Sequence, residues 1–87
     1  MATHTHSLVF YGLSTCIHCK HTREFLEENH VQFELHYVDL AEGQERESLV
    51  NKIRGYNPSV SFPTLVIDDS KVIVGFQKEA IAEALEL

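Results

Sequence analysis

Ser7-Leu8-Val9-Phe10-Tyr11-Gly12-Leu13-Ser14-Thr15-Cys16-Ile17-His18-Cys19-Lys20 runs from a short apolar stretch straight into a C-x-x-C pair. Ser7 to Tyr11 is rich in strand formers and is stopped by Gly12, which reads as a buried strand. After Ser14-Thr15-Cys16, Thr22, Phe25, Leu26 and Asn29 recur at helical spacing with charged residues between them, so a helix is predicted from Ile17 to about His30. Strand, loop and helix follow in that order. They place Cys16 where the chain enters the helix.

Outward from this stretch the pattern continues. Glu34-Leu35-His36-Tyr37-Val38 alternates and is followed by Asp39, giving a second strand; the crossover from the first makes a βαβ unit, so the two should be parallel. A second helix is expected from Glu42 to about Tyr56, with Leu49, Val50 and Ile53 on one face and Gly55 and Asn57-Pro58 at its end. Thr64-Leu65-Val66-Ile67 and Lys71-Val72-Ile73-Val74, separated by Asp68-Asp69-Ser70, carry a hairpin signal, and Gly75 stops the second run. Ala80, Ile81, Ala84 and Leu85 define an amphipathic helix from about Gln77 to Leu87. The order β-α-β-α-β-β-α predicts an α/β fold, a mixed sheet of about four strands with helices on both faces. No linker, low-complexity tract or internal repeat interrupts it, so residues 1–87 read as one domain whose first six residues form a mobile end.

The 87 residues allow one modest core, and 44% apolar content argues against intrinsic disorder. Seven basic and 13 acidic side chains give a net charge of −6, with no Lys or Arg run to track a phosphate backbone, so nucleic acid is an unexpected partner. No stretch approaches the roughly 18 consecutive apolar residues of a membrane span, and Met1 to Ser7 lack the regions of a signal peptide. A cytoplasmic location is the expectation.

The two cysteines are the only ones in the chain. A bridge between them would close almost no loop and make little sense as a staple, whereas close cysteines in a reducing compartment are more often catalytic or metal-binding. A C-x-x-C pair near a βαβ pattern reads as a redox motif. At a helix start, unpaired backbone N–H groups and the positive end of the macrodipole favour thiolate over thiol, so Cys16 is the expected nucleophile. Cys19, one turn further on and more buried, is the expected resolving thiol. The predicted reaction is thiol-disulfide exchange through a mixed disulfide on Cys16, which Cys19 displaces. His18 and Lys20 are candidates for tuning the nucleophile through positive charge, and His21, elsewhere on the wheel, is a weaker one.

Ser61-Phe62-Pro63-Thr64 supplies a second element. A proline at a strand entrance is tolerated for its missing N–H, and on the residues alone the trans form is the ordinary expectation; a cis bond would leave the preceding backbone free to pair with a substrate. Together, the stretch from Leu8 to Lys20, Phe62-Pro63-Thr64, and the late Gly75-Phe76 resemble the glutaredoxin family over nearly the whole chain. The resemblance implies a thioredoxin fold, a cis Pro63 opposite the cysteines, a dithiol mechanism in cell redox homeostasis without a bound cofactor, and substrate contacts from Phe62, Pro63, Thr64, Gly75 and Phe76. The implied partners are disulfide-containing proteins or small disulfides, with glutathione as reducing co-substrate. Many glutaredoxins carry Pro-Tyr between the cysteines, a cation three residues before the first, and an acidic pair after the late glycine, the last two helping to hold glutathione. Here Ile17-His18, Leu13 and Gln77-Lys78 occupy those places. In this respect the chain is similar to glutaredoxin-like electron donors reduced by thioredoxin reductase.

Three rival readings remain. Cys16, His18, Cys19 and His21 could ligate zinc or copper, or Cys16 could share an Fe–S cluster between two chains, although a structural zinc site ordinarily draws ligands from separate segments. Ala2-Thr3-His4, with Met1 removed, would offer a square-planar set for Cu(II) or Ni(II). A non-enzymatic interaction domain is the third, because fold does not fix function. Among the aromatics, Phe10, Phe25, Phe33 and Tyr37 are expected in the core or against the sheet. Tyr11, Tyr56 and Phe76 are candidates to border the cleft.

Overall fold

The computed structural model describes residues 6–87. It contains β1 (Leu8–Gly12), α1 (Ile17–Glu28), β2 (Glu34–Tyr37), a 3-10 turn (Val38–Leu40), α2 (Gly43–Tyr56), β3 (Thr64–Ile67), β4 (Lys71–Val74) and α3 (Lys78–Ala84). The sheet order is β2-β1-β3-β4. β1 runs parallel to β2, with Phe10 opposite Leu35, and antiparallel to β3, with Phe10 opposite Leu65; β3 and β4 form the expected hairpin.

The two-residue period of the strands sorts side chains onto two faces. Leu8 and Phe10 of β1, Leu65 and Ile67 of β3 and Ile73 of β4 meet Cys19 and Leu26 of α1 and Ile81 of α3 in one buried cluster. Tyr11 and Val66 point the other way and pack with Val38 and with Ile53 of α2. Enclosing side chains such as Phe10, Leu26 and Ile53 stabilises the fold by about 1.5–3 kcal/mol each. Helices therefore cover both faces, as the order of elements required.

Several boundaries differ from the sequence expectation. Val38 does not extend β2 but starts the 3-10 turn, because Arg46 of α2 reaches back to the Asp39 and Ala41 carbonyls while Val38 turns inward. α1 stops at Glu28, two residues early, where Asn29 folds its side-chain amide back onto the Phe25 carbonyl and His30 takes φ 58. α3 ends at Ala84, and Glu86 takes φ 59.

Of the end expected to be mobile, residues 1–5, with Ala2-Thr3-His4, lie outside the described residues. His6 is anchored: Nδ1 lies 2.8 Å from Asp68 Oδ2 and Nε2 lies 2.9 Å from Glu86 Oε2, clasping the hairpin turn to the C-terminal end.

Candidate active site

Cys16 is the N-cap of α1, with extended backbone (φ −89, ψ 122), and its Sγ accepts the Cys19 N–H at 3.2 Å. The loop before it is tight: the Cys16 N–H donates to the Leu13 carbonyl at 3.2 Å. Cys16 is half-buried, whereas Cys19 is only 2% exposed, and both are free thiols. Leu13 N–H approaches Cys19 Sγ at 3.5 Å. Burial, reinforced by the adjacent Cys16 and more weakly by the Asp39 carboxylate, pushes the Cys19 thiol up to about 12, against the opposing effect of the Leu13 amide. The pair thus consists of one accessible sulfur at a helix terminus and one enclosed, protonated sulfur beneath it.

Gly12 permits this approach of helix to strand. A Cβ there would lie 2.9 Å from Phe10 Cε1 and 3.3 Å from Cys19 Sγ. β1 ends at Gly12, as its position suggested, and the missing side chain also allows the close approach of α1.

The Phe62-Pro63 bond is cis. Pro63 is buried, and the loop around it is held from two sides. Asn57, 7% exposed, directs Nδ2 toward Ser61 O (3.3 Å), Ser61 Oγ (3.1 Å) and Thr64 Oγ1 (3.2 Å). From the other side, the Gly75 N–H donates to the Pro63 carbonyl at 2.8 Å. Gly75 has φ +88, a conformation favouring glycine. Thr64 is fully enclosed, and its hydroxyl donates to the Ser61 carbonyl at 2.6 Å, so its side chain braces the loop from within. Phe62 bridges the two core clusters, half-buried in each.

Phe76 and Cys16 both pack, half-buried, on the cluster that contains Cys19. The Phe76 ring meets Phe25 edge-on at 6.1 Å and stacks with His21 at 6.2 Å. Lys78 Nζ lies 5.7 Å from the centre of the Phe25 ring. His18 and Lys20 are exposed on the first turn of α1, and neither side chain hydrogen-bonds a cysteine sulfur among the described residues. Tyr11 belongs to the opposite, α2-facing cluster, where it stacks on His36. Among the described residues, no group of three or more His, Cys, Asp or Glu side chains is arranged to hold a metal ion. Nor is any helix among them long and apolar enough to cross a membrane.

Sequence reasoning missed Asn57 and Asp39. Asn57 served only as a helix end and Asp39 only as the residue after a strand, yet Asp39 receives both the N–H and the hydroxyl of Ser14. These bonds hold its carboxyl below the usual carboxylate range.

Comparison with known proteins agrees with this geometry. A sequence model of the glutaredoxin family matches residues 8–72. No curated protein sequence matches the chain. Among solved structures, the glutaredoxin from Methanosarcina mazei Go1 is 48% identical with a TM-score of 0.87, the alignment covering 93% of this chain and 79% of that one. Methanosarcina acetivorans methanoredoxin is 46% identical with a TM-score of 0.90, over 93% of this chain and 85% of that one. The glutaredoxin (grx-1) from Archaeoglobus fulgidus is 38% identical with a TM-score of 0.87, over 93% and 87%. With the family model spanning most of its length, a C-x-x-C pair at a helix N-terminus and a cis Phe62-Pro63 bond, the chain belongs to the glutaredoxin family, thioredoxin-fold thiol-disulfide oxidoreductases.

Proposed function

We propose that the protein reduces disulfides and mixed disulfides by a dithiol route, with Cys16 as nucleophile and Cys19 as resolving thiol, in cytoplasmic redox homeostasis. The observation that carries this reading is the asymmetry of the pair: Cys16 Sγ sits at the N-terminus of α1 accepting the Cys19 N–H, while Cys19 is enclosed. The Cys16 thiolate attacks one sulfur of a substrate disulfide, the substrate S–S bond breaks, and the first substrate thiolate leaves and is protonated. Cys19 then gives up its proton and attacks Cys16, forming Cys16–Cys19 and releasing the second substrate thiol. The substrate gains two electrons and the cysteine pair loses two. Phe62, Gly75 and Phe76 line the path along which the substrate backbone lies, while the enclosed Pro63 and Thr64 hold the Phe62 backbone in place from within. Lys20, exposed on the first turn of α1 beside the motif, adds positive charge there, and the exposed His18 ring adds a polar group.

Charges beside the site support a reading of the reductant. Leu13 packs on the α2-facing cluster, Gln77 Nε2 donates to the Val74 carbonyl at 2.6 Å, and Lys78 lies over Phe25. Leu13 and Gln77 offer neither the cation nor the acids that would meet a glutathione carboxylate and amine, contacts worth about 1.5–3 kcal/mol each, and Lys78 is left as the one cation of the three that can attract a carboxylate. Glutathione therefore acts as a slow, poorly saturating reductant. The same missing charges favour a second reading, in which thioredoxin reductase supplies the electrons directly.

The test is turnover of a small disulfide with glutathione and its reductase, run beside thioredoxin reductase alone. Slow, unsaturated turnover with glutathione is expected, and Leu13→Lys should improve saturation more than maximal rate. Saturation at low glutathione with no gain from Leu13→Lys would overturn the argument from charge.

A further inference from the structure

The loop between β1 and α1 is tied to a segment far away in the chain. Ser14 N–H donates to Asp39 Oδ1 at 2.9 Å and its hydroxyl donates to Asp39 Oδ2, across a separation of 25 residues. The Asp39 backbone is fixed in turn from α2, where Arg46 Nη2 donates to the Asp39 carbonyl at 3.2 Å and Nε to the Ala41 carbonyl at 3.0 Å. Three segments therefore meet at Asp39, its carboxylate tied to Ser14 and its backbone to Arg46. Ser14 is exposed and two residues from the nucleophile, so without Asp39 both of its donors would turn to water and its backbone would be free to move.

What that backbone carries matters for the chemistry. Leu13, the neighbour of Ser14, turns its N–H toward Cys19 Sγ at 3.5 Å and its carbonyl toward the Cys16 N–H at 3.2 Å. The Leu13 amide is thus the polar group presented to the enclosed sulfur when that sulfur must lose its proton. A donor aimed at developing charge acts only while it is held in place.

We propose that Asp39 is a positioning residue for the resolving step: by clamping Ser14 it holds the Leu13 amide on Cys19 Sγ. The inference rests on the dithiol reading. In that step Cys19 Sγ attacks the Cys16 sulfur of the mixed disulfide, the Cys16–substrate S–S bond breaks as Cys16–Cys19 forms, and the proton lost by Cys19 balances the one taken up by the departing thiolate. Although the Leu13 carbonyl accepts the Cys16 N–H, Cys16 is also held from α1 itself, through the Cys19 N–H on its Sγ and the Lys20 N–H on its carbonyl, so displacement of the Leu13 amide falls more on the second step than on the first.

The test uses reduced full-length protein and 5,5′-dithiobis(2-nitrobenzoate), which releases one coloured thiolate when Cys16 attacks and a second when Cys19 closes the internal disulfide. Asp39→Ala should slow the second release about tenfold, within the range that small misplacements produce, and leave the first nearly unchanged. Asp39→Asn keeps an oxygen for the Ser14 N–H and a polar partner for its hydroxyl, and should restore most of the second rate. If melting shows that Asp39→Ala does not fold, Ser14→Ala decides: a slowed second phase beside a normal first supports the proposal, and an unchanged second phase overturns it. Equal slowing of both phases by Asp39→Ala, no slowing at all, or an Asp39→Asn variant as slow as the alanine variant would also overturn it. Wild-type protein that releases only one equivalent would instead remove the dithiol reading, and this inference with it.

Discussion

The Cys19 N–H points at Cys16 Sγ from 3.2 Å, while the Cys19 sulfur itself lies within the core cluster that contains Phe10 and Leu26. Two thiols of one motif are thereby made unequal by position alone. With Cys19 pushed up to about 12, almost none of it is thiolate at pH 8. Iodoacetamide at that pH should label Cys16 first and leave Cys19 almost untouched in the folded protein. Peptide mapping by mass spectrometry checks the order, and equal labelling of the two would contradict the asymmetry.

The cis-proline loop depends on Asn57. Replacing Asn57 by Ala removes the donor shared by Ser61 and Thr64 inside a buried pocket, and should lower stability by about 1–3 kcal/mol in urea unfolding. Asn57→Asp should be worse at neutral pH, because a carboxylate cannot donate to the Ser61 carbonyl and would be buried with its charge. A stable Asn57→Asp variant would show that the loop is held otherwise.

His6 gives the stability a pH dependence. Hydrogen bonds donated to Asp68 and then to Glu86 raise its pKa above 6.5, so the stabilisation is full below 6.5 and is lost as pH rises through the higher folded value. The His6 contact also lowers Asp68 below 3.8, so that contribution is present above 3.8 and is lost as pH falls through the depressed value. The clasp is therefore strongest between these limits. Thermal melts across pH should show a decline above 6.5 that His6→Ala abolishes; a wild-type profile matching that of His6→Ala would contradict the clasp.

Gly12→Ala tests the packing beneath the site. The added methyl would meet the Phe10 ring at 2.9 Å and Cys19 Sγ at 3.3 Å, so a loss of about 1–3 kcal/mol is expected together with slower resolution by Cys19. A variant with wild-type melting and wild-type kinetics would mean that α1 has room to shift.

The elements and the reactive pair were legible because their signals are local. Phe25 and Leu26, or Leu49, Val50 and Ile53, mark helices through spacing alone, and Cys16 and Cys19 lie one turn apart on one of them. The braces were not legible, because each joins residues distant in sequence or packed in three dimensions. Ser14 and Asp39 meet across 25 residues, and the Gly75 N–H meets the Pro63 carbonyl through the β3–β4 hairpin. Tyr11 illustrates the same limit: a strand residue near Cys16 in sequence points to the opposite face, because alternation sends Tyr11 toward α2 and Phe10 toward α1.

The central claim is the division of labour between the cysteines, and trapping tests it most directly. Reduced Cys19→Ser protein mixed with a disulfide-bonded substrate protein should accumulate a mixed disulfide on Cys16 that reductant reverses, while Cys16→Ser protein should form none and reduce nothing. A Cys16→Ser variant that forms the adduct through Cys19, or that still reduces the substrate, would contradict the account.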